Sequence, residues 1–87
     1  MTIATAQFTI NSTPTAIARP DAVSQRVTVH NNESAQQVFI GNAGVTTSNG
    51  IHLDGKNERL ITLNPGETLY AVSAGSYVVS VMTQKQN

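Results

Sequence analysis

The sequence contains no cysteine and no tryptophan, and charged residues fill only 11% of its 87 positions. Without cysteine no disulfide can brace the chain, and the absence fits synthesis in a reducing cytoplasm. Two histidines and five carboxylates are too few to favour a structural metal. Soluble domains typically carry about 25% charged residues; here Thr, Asn, Ser and Gln take their place. The formal net charge is zero, and the basic residues Arg19, Arg26, Lys56, Arg59 and Lys85 are scattered. A surface of that kind does not track a phosphate backbone, so nucleic acid is not an expected partner. Nothing suggests attraction to anionic membranes, and no apolar run approaches the roughly 20 residues of a membrane-spanning helix. Met1 to Ile10 has neither the basic patch nor the long apolar stretch of a secretory signal. Aromatics reach only 5%, which makes a sugar-stacking platform a weak candidate. Tyr70 and Tyr77 are expected as half-buried residues with a wet hydroxyl.

What the sequence does contain is β texture. Val, Ile and Thr dominate, and no stretch places apolar residues at i, i+3, i+4 and i+7. The expected architecture is all-β: a small antiparallel β-sandwich or barrel of seven to eight short strands, forming one domain over residues 1–87. Ile3 to Ile10 alternates, with Ala4, Ala6, Phe8 and Ile10 on one parity. Asn11-Ser12-Thr13-Pro14 is a turn, Thr15 to Ile17 a short strand, and Arg19-Pro20-Asp21 its end. Strands are expected at Gln25 to Asn31 and Gln37 to Gly41. Val45 to Ser48 and Ile51 to Leu53 flank Asn49-Gly50, which favours a tight type I′ hairpin. Asp54 to Asn57 turns the chain before Leu60 to Leu63. Asn64-Pro65-Gly66 suits a type II turn. Thr68 to Ser73 and Tyr77 to Thr83 complete the set, and residues 84–87 read as a polar tail. Val78, Ser80 and Met82 share the opposite face from Tyr77, Val79 and Val81, so the last strand is open to cover on both sides. The expected core is Val27, Val29, Val38, Ile40, Leu53, Leu63, Leu69, Val79 and Val81.

Catalytic and ligand-binding patterns are weak. His52 and Asp54 lie two apart on a strand and could share a metal with His30, but they read more simply as solvent-facing neighbours of Ile51 and Leu53. No Ser lies in a Gly-x-Ser-x-Gly elbow. Glu33, Glu58 and Glu67 fall in or beside turns. Gly41-Asn42-Ala43-Gly44 lacks the Lys-Ser/Thr and the helix that a phosphate cradle requires. No catalytic, cofactor-binding or metal-binding residue is therefore expected, no cofactor is implied, and the chain does not read as an enzyme.

One ordered set of segments goes further. Val27-Thr28-Val29-His30-Asn31-Asn32 leads to Val38-Phe39-Ile40-Gly41, then to Val45-Thr46-Thr47-Ser48-Asn49-Gly50-Ile51-His52-Leu53. Leu63-Asn64-Pro65-Gly66-Glu67 and Leu69-Tyr70-Ala71-Val72-Ser73 follow. Over roughly residues 15–83 this order resembles a small β module of tailed-bacteriophage virion proteins. It departs from that module at Phe39, where Tyr is more usual, and at the longer, more polar passage Asp54 to Arg59. The first dozen residues lie outside it, and it has no catalytic motif to carry over. The resemblance implies a virion protein made in the host cytoplasm, foremost a capsid decoration (cement) protein that binds the major capsid protein and stabilises the shell. A head–tail, tail accessory or fibre-base protein is the alternative within that class, and a small carbohydrate- or host-surface-binding module the alternative outside it.

So short a chain buries a modest core, and oligomerisation is the remaining source of support. A homo-oligomer is expected, with a trimer favoured by the decoration reading. Residues 1–12 are expected as an N-terminal arm that pairs with a neighbour or as an edge strand of the chain's own sheet.

Overall fold

The computed structural model describes residues 2–85. It is all-β, with eight strands: β1 (Thr2–Ile10), β2 (Thr15–Ala18), β3 (Gln25–Asn31), β4 (Val38–Gly41), β5 (Ile51–Leu53), β6 (Glu58–Leu63), β7 (Leu69–Ser73) and β8 (Tyr77–Lys85). They form two four-stranded antiparallel sheets, one in the order β1-β8-β3-β6 and the other in the order β2-β7-β4-β5. Only β4 and β5 are consecutive strands paired in one sheet; every other connection crosses from one sheet to the other. The turns read from Pro, Gly and Asn are therefore mostly arches over the end of a sandwich rather than hairpin turns.

The alternation explains how the sheets close on each other. Val27 and Val29 of β3 face the interior beside Val81 and Val79 of β8, and Val38 and Ile40 of β4 face it from the other sheet. All nine expected core residues are buried, and Ile10, Ile17, Ala18, Ala71 and Val72 join them. The outer face of β8 is only partly covered: Val78, Ser80 and Met82 are half-buried. Tyr70 and Tyr77 are half-buried as well, and the Tyr77 hydroxyl donates to Gln36 Oε1 at 3.1 Å.

Three expectations need correction. Val45 to Ser48 is not a strand, and Asn49-Gly50 is not a type I′ turn; the only positive φ values belong to Lys56 and Gly66 among the described residues. Instead the loop folds on itself: Gly50 N–H donates to Thr46 O at 3.0 Å, and Thr46 N–H donates to Asn49 Oδ1 at 2.7 Å. Val45 tucks into the interior at 2% exposure. A Cβ on Gly50 would meet Val45 Cγ2 at 2.7 Å and Phe39 Cβ at 2.8 Å. Glycine is needed there for close approach, a demand that local turn chemistry does not signal. Next, residues 84–87 are not wholly a tail: Gln84 and Lys85 continue β8, paired with Ile3 and Thr2 of β1, while Gln86 and Asn87 lie outside the described residues. Finally, β6 begins earlier than Leu60, at Glu58, because His30 of β3 pairs opposite it.

The type II turn at Asn64 to Glu67 is present, with Gly66 at φ 85° and Glu67 N–H donating to Asn64 O at 3.1 Å. Its Cβ position is open, so Gly66→Ala tests backbone conformation alone. The left-handed conformation costs an L-residue about 1–2 kcal/mol, and chemical denaturation should show a loss of that size. An unchanged midpoint would contradict the turn geometry.

A buried amide ties the two sheets together at one end. Asn31 is fully buried at the end of β3. Its Nδ2 donates to Gln36 O at 2.8 Å and Leu53 O at 3.0 Å, and its Oδ1 accepts from Glu33 N–H at 3.0 Å. Its main chain bonds Asn57 O and Lys56 N–H at 3.0 and 2.9 Å. At the same end of the sandwich, nearer β1, Ser73 of β7 performs a similar role. Its N–H donates to Asn11 O at 2.8 Å, and its hydroxyl lies 3.1 Å from Ile10 O.

Candidate interaction surface

Each sheet leaves two edges, and the four edges differ. β2 has four residues, shifts register between Ala16 and Ala18, and lies between Pro14 and Pro20. β5 has three residues. β6 has six and opens on Glu58-Arg59. Short length, bulges, proline and charge are the devices by which sheet edges resist pairing with other chains. β1 has none of them: its nine residues carry no charge and no proline, and its register with β8 is unbroken from Thr2 to Ile10. The segment 1–12 thus includes an edge strand of the chain's own sheet, with its far edge unpaired among the described residues.

The two ends of β1 differ in cover. Ile10 is fully buried and Phe8 half-buried, but Ala4 and Ala6, on the same inward parity, are exposed. They open onto a groove of about 260 Å³, walled by Ala16, Ile17 and Ala18 of β2 and by Val81 and Thr83 of β8. Ile3, on the outward parity, is 59% exposed. The alternation of Ala4, Ala6 and Phe8 shows a strand in the sequence, but not that the strand outruns its covering sheet.

At the mouth of the groove Lys85 Nζ meets Asp21 Oδ2 at 2.8 Å, which ties the end of β8 to the loop after β2. The Lys85 hydrogen bond, followed by the Val23 N–H, lowers the Asp21 pKa below the ordinary aspartate value. The folded value lies below the unfolded one, so the stabilisation is complete above the ordinary aspartate value and is lost as pH falls through the lowered one. Asp21→Asn should therefore flatten the acid limb of a stability–pH profile that begins to fall near 3.8. Identical acid limbs for the two proteins would contradict the contact.

The remaining polar residues form surface networks. On the outer face of the first sheet, Asn32 Nδ2 donates to Ser80 Oγ at 2.9 Å, and His30 Nδ1 lies 2.8 Å from Asn32 Oδ1. His52 Nδ1 and Asp54 Oδ1 do share a side, 3.2 Å apart and largely exposed. Asp54 is held below its ordinary pKa by Gln37 and then by His52. His30 is occupied with Asn32 and does not join them, and no group of three or more His, Asp or Glu is placed to hold a metal among the described residues. Glu33 Oε2 accepts from Val78 N–H at 3.1 Å, and Glu67 Oε1 accepts from Asn64 N–H at 2.6 Å, so both carboxylates serve turns and strand ends.

No family model matches the sequence, and no curated protein matches it. Among solved structures, the chain is similar to one from Bacillus, described as endospore appendages that form a novel family of disulfide-linked pili. The TM-score is 0.60 at 10% identity, over 99% of this chain and 87% of that one. At that identity the likeness establishes the shared all-β fold.

Proposed function

We propose that this chain is a non-catalytic bacteriophage virion protein, a capsid decoration protein that docks on the major capsid protein and stabilises the shell. The observation that carries this reading is the unprotected edge of β1 with its exposed Ile3, Ala4 and Ala6, a surface suited to joining copies of the chain by strand addition into the oligomer that docks on the shell. The ordered segments of the virion module support it, as does a low-charge surface that opposes close packing with little repulsion. The chain works as a homo-oligomer on a larger lattice. Virions made without it should lose infectivity on heating or osmotic shock at milder conditions than complete ones, and purified protein should restore resistance. Equal resistance with and without the protein would contradict decoration.

A structural role outside the capsid shell is the second reading, favoured by the likeness to the Bacillus structure described with pili. With no cysteine, assembly of this chain would rest on strand pairing and packing, not on disulfides. Immunogold labelling of virions separates the readings: a signal over the head supports decoration, and a signal confined to the tail supports the other.

A further inference from the structure

We propose that β1 pairs antiparallel with β1 of a second copy about a two-fold axis at Ala6, joining the two β1-containing sheets into one eight-stranded sheet. This rests on the homo-oligomer reading above and names its surface, partner and register; a two-fold contact closes as a dimer, in place of the trimer expected from the decoration reading.

Three observations select a second copy as the occupant. First, β1 alone among the four edges has no bulge, proline, charge or short length to prevent pairing. Because it is uncharged, a symmetric contact brings no like charges together, which would penalise self-pairing of an edge such as Glu58-Arg59. Second, the strand is self-complementary. With Ala6 opposite itself, Ala4 faces Phe8, Thr5 faces Gln7 and Ile3 faces Thr9. Each pair joins side chains of the same face, as antiparallel strands require, and the small inward Ala4 meets the large Phe8. Third, the space is available. Ala4 and Ala6 leave the groove of about 260 Å³ open on the inward side, and half-buried Phe8 of the partner would stand beside it. Two charged side chains line the groove: Lys85, which is paired with Asp21 at 2.8 Å, and Arg19, which is exposed and can keep its guanidinium in water. The symmetry sets the two groove mouths at opposite ends of the contact.

A register shifted by two residues keeps the faces but not this fit. Centred on Thr5, it sets Ala4 against Ala6 and leaves the groove unfilled. Centred on Gln7, it sets Ala6 against Phe8 but leaves Ala4 facing Ile10, which is already fully buried in its own core and cannot enter the groove.

The chain has no cysteine, so a single introduced thiol reports register directly. Directly opposite residues have Cβ atoms about 4.5–5.5 Å apart, and Ala6 is the one inward residue that faces its own copy. Ala6→Cys should form an intermolecular disulfide under mild oxidation much faster than Ala4→Cys or the exposed loop variant Thr47→Cys. In analytical ultracentrifugation the unmodified chain should reach twice its 9.2 kDa mass at concentrations up to about 100 μM, in the affinity range of a small interface. Ala6→Lys places two ammonium groups opposite each other at an exposed position. It should weaken dimerisation by roughly tenfold or more and leave the circular dichroism spectrum unchanged. A monomer throughout that range, or equal crosslinking of the three cysteine variants, would overturn the pairing. A monomer that still protects virions would overturn the pairing while leaving decoration intact. A dimer that fails to bind virions would do the reverse.

Discussion

Asn31→Leu should destabilise the protein by about 2–4 kcal/mol, although it exchanges one side chain for another of similar size. The amide makes three hydrogen bonds from a fully buried position. Leucine would leave Leu53 O without a partner in the interior, and Gln36 O and Glu33 N–H with poorer ones. An unsatisfied buried group costs about 1–3 kcal/mol, whereas a satisfied hydrogen bond is worth about 1 net. The loss is structural as well as energetic, because Asn31 fixes the β3–β4 connection against the end of β5. Asn32→Ala, at a half-buried neighbour in a surface network, should cost less than about 1 kcal/mol by comparison. Urea unfolding followed by circular dichroism measures both. Equal midpoints for Asn31→Leu and the unmodified protein would contradict the role of the buried amide.

Leu53→Ala and Leu63→Ala should each cost about 2–5 kcal/mol. Both side chains are almost fully buried, and they come from opposite sheets at the side of the sandwich remote from β1. Truncation removes contacts across the interior and leaves a cavity that a small two-sheet core cannot readily collapse. In a domain of this size 1 kcal/mol shifts Tm by roughly 4–8 °C, so either change should lower it by about 8 °C or more. Total stability of small domains is about 5–15 kcal/mol, and the double variant should fail to fold at 37 °C. If neither single variant moved Tm, the registers of β5 and β6 would be contradicted.

Much of the fold is legible in the sequence because it rests on period-two alternation. Val27 and Val29, Val38 and Ile40, and Val79 and Val81 each mark a face, and the structure buries every one. The Asn64 to Gly66 turn is legible for a similar reason: its positive φ at Gly66 is a local demand met by a local residue. Asn49-Gly50 misleads because both residues serve contacts outside the dipeptide. Asn49 accepts from Thr46 N–H, and Gly50 makes room for Val45 and Phe39. Asn31 reads as the last residue of a strand, with nothing to mark its burial, yet it is buried by β5 and the Asp54 to Asn57 turn, which lie more than twenty residues away. The candidate surface is half-legible. Alternation along β1 shows a strand with an apolar face, but the exposure of Ala4 and Ala6 depends on where β2 ends in the other sheet. Nothing within β1 encodes that boundary.

The central claim is that this chain acts by docking on a virion through protein surface, with no chemistry of its own. Co-sedimentation tests it most directly: particles lacking the protein are mixed with the purified chain, pelleted, and assayed for bound copies per particle. Docking predicts saturable binding at a fixed ratio of chains to capsid subunits, together with recovered heat resistance. Absence of saturable binding to complete heads and to tails alike would contradict it.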